Sequence, residues 1–131
     1  MKMSTTSHYG LIAAAYIAEH GDEGFVLGSR IAEEYDIPLE YLLKILQQMV
    51  RVNVLRSKKG PRGGFKLARP AKDITLLDII GAAGGPISSH LELAQVAKKA
   101  HFSVEMEKVC ERASEKAVSI LGRAKLSKMV G

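Results

Sequence analysis

A single cysteine, Cys110, occurs among the 131 residues. No internal disulfide can form, and one thiol in a small chain is ordinary for a reducing cytoplasm. Long apolar runs are also missing. The stretch from Leu11 to Ala18 is short, rich in alanine and preceded by one lysine, so it is neither a membrane span nor a secretory segment. The four histidines (His8, His20, His90 and His101) and Cys110 have no metal-ligand spacing of the HExxH kind, and the glycine-rich stretch lacks the GKS or GKT of a nucleotide-binding loop. Neither a catalytic residue nor a metal ligand can be named, and the expectation is a soluble, cytoplasmic protein that is not an enzyme.

The most informative absence is local. From Arg51 to Lys72 there is no acidic residue, while Arg51, Arg56, Lys58, Lys59, Arg62, Lys66, Arg69 and Lys72 all fall there. These are eight of the nineteen basic residues; the other eleven face fourteen acidic ones, so the rest of the chain is net negative by three. Charge gathered in one place builds a field for a polyanion, whereas the same charge spread evenly mainly aids solubility. A nucleic acid is favoured over a membrane as partner.

Within that segment Val54 to Ser57 and Phe65 to Leu67 have strand composition, and Gly60, Pro61, Gly63 and Gly64 supply turn chemistry between them. Upstream, Tyr9 to His20 reads as an alanine-rich helix that Gly21 can end, with Leu11, Ala14, Ala15 and Ala18 as its buried face. Gly24 to Leu27 could pair as a strand, and Ser29 to Tyr35 is a second helix with Ile31 and Ala32 inward. Asp36 and Ile37 make a turn, and Pro38 suits the first position of a third helix. There Leu42, Ile45, Leu46 and Met49 follow the spacing of one buried stripe, so Glu40, Lys44, Gln47, Gln48 and Arg51 point outward. A helix pair followed by a basic hairpin is the order of a winged helix-turn-helix that grips duplex DNA.

Beyond the hairpin, Thr75 with Asp78 is a capping box that opens a short helix ending at Gly84, Gly85 and Pro86. Residues 87–102 have no firm period. A long helix is expected from Ser103, with Glu105 and Glu107 in its first turn. Along it Met106, Cys110, Ala113, Ala117, Ile120 and Ala124 recur at spacings of four and three, a stripe suited either to helix pairing between chains or to packing on its own domain. The predicted fold is therefore mainly α with a small β-hairpin: a winged domain over residues 1–83, a connecting loop and candidate effector site over 84–102, and a dimerisation helix and tail over 103–131.

Ser4-Thr5, Tyr9, Ile31-Ala32-Glu33, Tyr41-Leu42, Gly60-Pro61-Arg62-Gly63-Gly64-Phe65, Leu67 and the run Ile74 to Ile80 together give a resemblance over nearly the whole chain. The sequence resembles the Rrf-two (Rrf2) family of bacterial winged helix-turn-helix transcriptional regulators. That resemblance implies a homodimer joined through the Met106 to Ala124 stripe, with two winged domains on half-sites of a partly palindromic operator. The alternative is a regulatory adaptor that meets a protein partner through the long helix. Relatives that hold an iron–sulfur cluster use three closely spaced cysteines between the short helix and the long one. Here Val104 stands where the third would be and Glu107 where a histidine ligand would be, so no cluster cofactor is expected. Leu43, Thr6 and His8 also depart from residues common in relatives, which implies a different sequence preference.

For contact with double-stranded DNA, Lys58, Lys59 and Arg62 are the phosphate and minor-groove candidates, and Gly60 and Gly63 let the wing tip approach closely. Leu39, Glu40, Tyr41, Leu43 and Lys44 lie where base edges are read, and Gln47, Gln48 and Arg51 lie farther along toward phosphates. Tyr41 could equally pack in the core. Ser4, Thr5 and Thr6 can offer donors to a phosphate at the start of the first helix. Cys110, on the apolar stripe, reads as a buried small hydrophobe rather than a redox thiol.

Overall fold

The computed structural model describes residues 3–85 and 96–131. Among these residues five α-helices and one hairpin follow in the order α1 (Thr5–Glu19), α2 (Gly28–Glu34), α3 (Leu39–Arg51), β1 (Leu55–Lys58), β2 (Gly64–Leu67), α4 (Leu76–Gly84) and α5 (His101–Arg123). Residues 86–95 of the expected connecting stretch, Pro86 and His90 among them, lie outside the described residues.

Helix α1 starts at Thr5, four residues before the expected Tyr9, because the Ser4 hydroxyl caps it and accepts the Ser7 amide at 3.2 Å. Its buried face is Ser7, Gly10, Ala13, Ala14 and Ile17. Of the four residues expected there only Ala14 is correct; Leu11, Ala15 and Ala18 are half-buried. The run LIAAAYIA is apolar all round, so no polar residue marks the outer face. Close approach to α4 decides the matter instead, since a Cβ on Gly10 would lie 2.5 Å from Ala83 Cβ.

In α2, Ile31 and Ala32 enter the core as expected. Asp36 takes a left-handed φ of 54°, and the Ile37 amide donates to Ala32 O at 2.9 Å while its side chain is buried. Pro38 is the cap of α3 rather than its first helical residue: its ψ of 123° is extended while its carbonyl already accepts the Leu42 amide. Helix α3 buries Leu42, Ile45, Leu46 and Met49, the predicted stripe, against α1, α2 and α4. Asn53, at φ 63°, closes it and sends the chain into β1.

Strands β1 and β2 pair antiparallel with Leu55 opposite Leu67, Arg56 opposite Lys66, Ser57 opposite Phe65 and Lys58 opposite Gly64. Of the strand expected at Gly24 to Leu27, only Val26 pairs, exchanging two 2.8 Å hydrogen bonds with Phe65. The Thr75–Asp78 capping box on α4 has both of its hydrogen bonds, at 2.9 and 3.1 Å.

Helix α5 begins at His101, two residues before the expected start, so Glu105 and Glu107 lie beyond the first turn. Ser103 is instead buried in that turn and donates to Ala100 O at 2.6 Å. Ala124, counted on the stripe, is the residue that ends the helix. The chain then returns to the winged domain: the Leu76 amide donates to Ala124 O and the Leu126 amide to Ile74 O, each at 2.8 Å. Leu126 is 1% exposed within the main core, a burial that stabilises by about 2 kcal/mol. The tail beyond α5 is therefore part of the same hydrophobic core as α1 to α4.

Candidate nucleic-acid interface

The buried stripe of α3 leaves the opposite face to solvent. Lys44, Gln47, Gln48 and Arg51 are exposed, and with the half-buried Leu43 they line one open groove of 410 Å³. Amide and cationic groups on an outward helix are the chemistry that reads base edges and phosphates. Leu43 is less outward than expected because it packs over α2, where a Cβ on Gly28 would meet its Cδ2 at 3.0 Å. At the start of α3, Leu39 (41% exposed) and Tyr41 (42%) are both open, as is Glu40. The Tyr41 ring also meets Tyr9 edge-on at 5.7 Å, so it packs at the surface without entering the core.

The wing follows α3 directly. Lys58, Lys59 and Arg62 are exposed, and the Gly63 amide closes the tip on Gly60 O at 2.9 Å. Gly63 is buried, and a Cβ there would fall 2.1 Å from Lys58 O, so its part is to let the turn close. Ser4 spends its hydroxyl on the α1 cap and on Ser7 and Thr6, leaving Thr5 the most open hydroxyl at that helix start.

Two basic residues have other work. Arg69 donates from Nε to Asn53 O at 3.2 Å and from Nη1 to Asp73 O at 2.9 Å, and its Nη2 lies 3.7 Å from Asp78 Oδ2. It ties the base of the wing to the start of α4. Among the described residues this is the only ion pair made by any of the eight clustered cations. Arg30 on α2 donates to Glu23 at 3.1 Å and to the Tyr16 hydroxyl at 3.2 Å, and these bonds, the first above all, hold its pKa above the ordinary value.

Sequence reasoning missed Phe25, whose ring carries Lys58 and Lys66 across it. Only the pairing of Val26 with Phe65 brings Phe25 beside the hairpin.

An exposed polar helix face, a basic glycine-tipped hairpin and a long open helix are the parts of a winged helix-turn-helix regulator. Residues 3–131 match the Rrf2 family model, described as an iron-dependent transcriptional regulator. The chain belongs to the Rrf2 family. A protein of Aquifex aeolicus named as an HTH-type transcriptional regulator is 37% identical over 103 residues, covering 79% of this chain and 71% of that one. BadM of Rhodopseudomonas palustris, named in the same way, is 39% identical over 80 residues, 61% of this chain and 51% of its own. The chain thus spans between about half and seven tenths of these curated relatives.

Among solved structures, CymR, the global cysteine regulator of B. subtilis, matches with a TM-score of 0.76 at 25% identity, covering 98% of this chain and 95% of that one. T. potens IscR matches at 0.75 and 29% identity, covering 98% and 85%. The Rrf2 assignment makes this chain a transcriptional regulator with a DNA-binding helix-turn-helix fold, in a family of regulators rather than enzymes. Among the described residues no helix is long and apolar enough to cross a membrane.

Proposed function

We propose that this Rrf2 protein acts in the cytoplasm as a repressor, binding a partly palindromic operator as a homodimer through α3 and the basic wing, without an iron–sulfur cluster. The observation that carries the reading is the exposure of Lys58, Lys59 and Arg62, with no ion-pair partner among the described residues, on a hairpin that leaves α3 directly from Arg51. Phosphates would supply the missing negative charge and release condensed counterions.

The homodimer is supported by α5. Ser103 is its one buried residue, while Phe102, Val109, Met106 (53% exposed) and Ile120 (55%) stand open. Cys110 and Ala117 are half-covered and Ala113 is exposed on the same helix. A stripe so uncovered by its own chain fits a two-fold contact, in which the same patch serves both partners. The expected result for Met106→Glu with Ile120→Glu is a folded monomer by light scattering, with operator affinity down at least about a hundredfold as the second half-site is lost. A dimer that persists and binds normally sinks the α5 interface. Loss of a protein partner with DNA binding intact would favour the adaptor reading.

The donor set does not fit a cluster. Fe–S centres are held by thiolates, and Cys110 is the single thiol; Val104 is half-buried and Glu107 offers only oxygen. Among the described residues no three of His, Cys, Asp and Glu come together as a metal set. Protein purified without oxygen is expected to be colourless above the aromatic absorbance and free of iron; a brown, iron-containing preparation contradicts the proposal.

A further inference from the structure

The outer face of the small sheet carries positive charge that the sheet itself leaves unbalanced. Antiparallel register sets Arg56 directly opposite Lys66, while Leu55, Leu67 and Phe65 turn to the core. Because side chains alternate across a strand, Arg56, Lys58 and Lys66 share the other face. Val26 bridges to Phe65, so Phe25 falls on that same face, and its ring centroid lies 5.7 Å from Lys58 Nζ and 5.1 Å from Lys66 Nζ.

Like charges placed directly opposite on an antiparallel pair cost stability. Neither strand has an acidic side chain, and among the described residues none of these three cations has an ion-pair partner. The face of the Phe25 ring attracts both ammonium groups and so offsets part of the repulsion. It also restricts two flexible side chains before any ligand arrives, which lowers the entropy lost on binding.

We propose that Phe25, Arg56, Lys58 and Lys66 form a further contact surface for the backbone phosphates of duplex DNA, continuing from the wing tip through Lys58 onto the outer face of the sheet, with Phe25 as the residue that positions the two lysines. This rests on the DNA-binding reading above and adds Phe25, Arg56 and Lys66 to it. Duplex DNA is the occupant that suits the face, because a row of phosphates relieves the opposition of Arg56 and Lys66 without a shaped pocket, and the hairpin already leads from α3.

The test is fluorescence anisotropy with a mixed-sequence linear duplex across a salt series, for wild type, Arg56→Ala, Lys66→Ala, Phe25→Leu, Phe25→Tyr and the Lys59→Ala, Arg62→Ala pair. Arg56→Ala and Lys66→Ala should each reduce the slope of log affinity against log salt by about 0.9 per chain. Free Arg56→Ala should melt no lower than wild type, since it removes one of two opposed charges. Phe25→Leu should keep the wild-type slope and weaken binding about two- to fivefold, and Phe25→Tyr, which keeps the ring face, should restore it. Wild-type slopes in both Arg56→Ala and Lys66→Ala, beside a reduced slope in the Lys59, Arg62 pair, would overturn the outer-face site and leave the DNA-binding reading intact. No binding by wild type at any salt would overturn that reading itself. Equal affinity in Phe25→Leu and wild type removes the positioning role, and circular dichroism of each variant guards the comparison, with Phe25→Met replacing Phe25→Leu should the latter unfold.

Discussion

Replacing Lys59 and Arg62 by alanine is expected to weaken operator binding at least about a hundredfold while leaving a folded dimer. Both side chains are exposed and, among the described residues, neither takes part in a hydrogen bond or ion pair, so their loss should change stability by no more than about 0.5 kcal/mol. In the complex the two would neutralise phosphates or enter a narrow minor groove. Removing them should lower the salt slope by about 1.8 per chain and the affinity at physiological salt by at least about a hundredfold. The measurement is a gel shift at several salt concentrations on fragments recovered by mapping the bound sites in the native organism. Unchanged affinity and slope would remove the wing tip from the mechanism, leaving α3 to carry recognition by itself.

The second large effect is expected at Gly64. Its φ of 127° is one that L side chains rarely adopt, and a Cβ there would lie 2.3 Å from Val26 O and 2.8 Å from Leu27 N. Alanine would therefore meet strain and collision with rigid backbone at once. The strand can relieve this only by giving up the Val26–Phe65 bridge, whose two hydrogen bonds hold the wing to the segment before α2. A loss of about 2–4 kcal/mol follows from the backbone strain together with those bonds. It should appear as a lower urea midpoint at unchanged slope. Gly60 is the control: its φ is 103° but nothing lies within 4 Å of an added Cβ, so alanine there should cost no more than about 1–2 kcal/mol. Equal stability of the two variants would mean that the close approach at Val26 is not what makes residue 64 glycine.

Some features could be read because each had a local cause. The α3 stripe was legible since Leu42, Ile45, Leu46 and Met49 alternate with polar residues at helical spacing. The hairpin was legible from its turn glycines, and the α4 capping box from the Thr75–Asp78 spacing alone. The face of α1 was not, because an apolar run has no polar marker and the close approach of Ala83 to Gly10 and of Gly84 to Ser7 decides which side must be smallest. The start of α5 was misplaced by two residues because Ala100, which caps it, has no capping side chain to announce it.

By itself the amino-acid order determined the winged helix-turn-helix class, the positive hairpin and the outward polar face of α3, since periodicity, turn chemistry and charge clustering act over a few residues. The tertiary structure alone decided which of the eight clustered cations have a partner among the described residues. Arg69 meets Asn53, Asp73 and Asp78, while Lys58 and Lys66 meet Phe25, through contacts across strands and turns that no spacing along the chain encodes. It also decided that Leu126 belongs to the core, because hydrophobic burial rewards any apolar side chain that reaches a vacancy, however far away in sequence it begins.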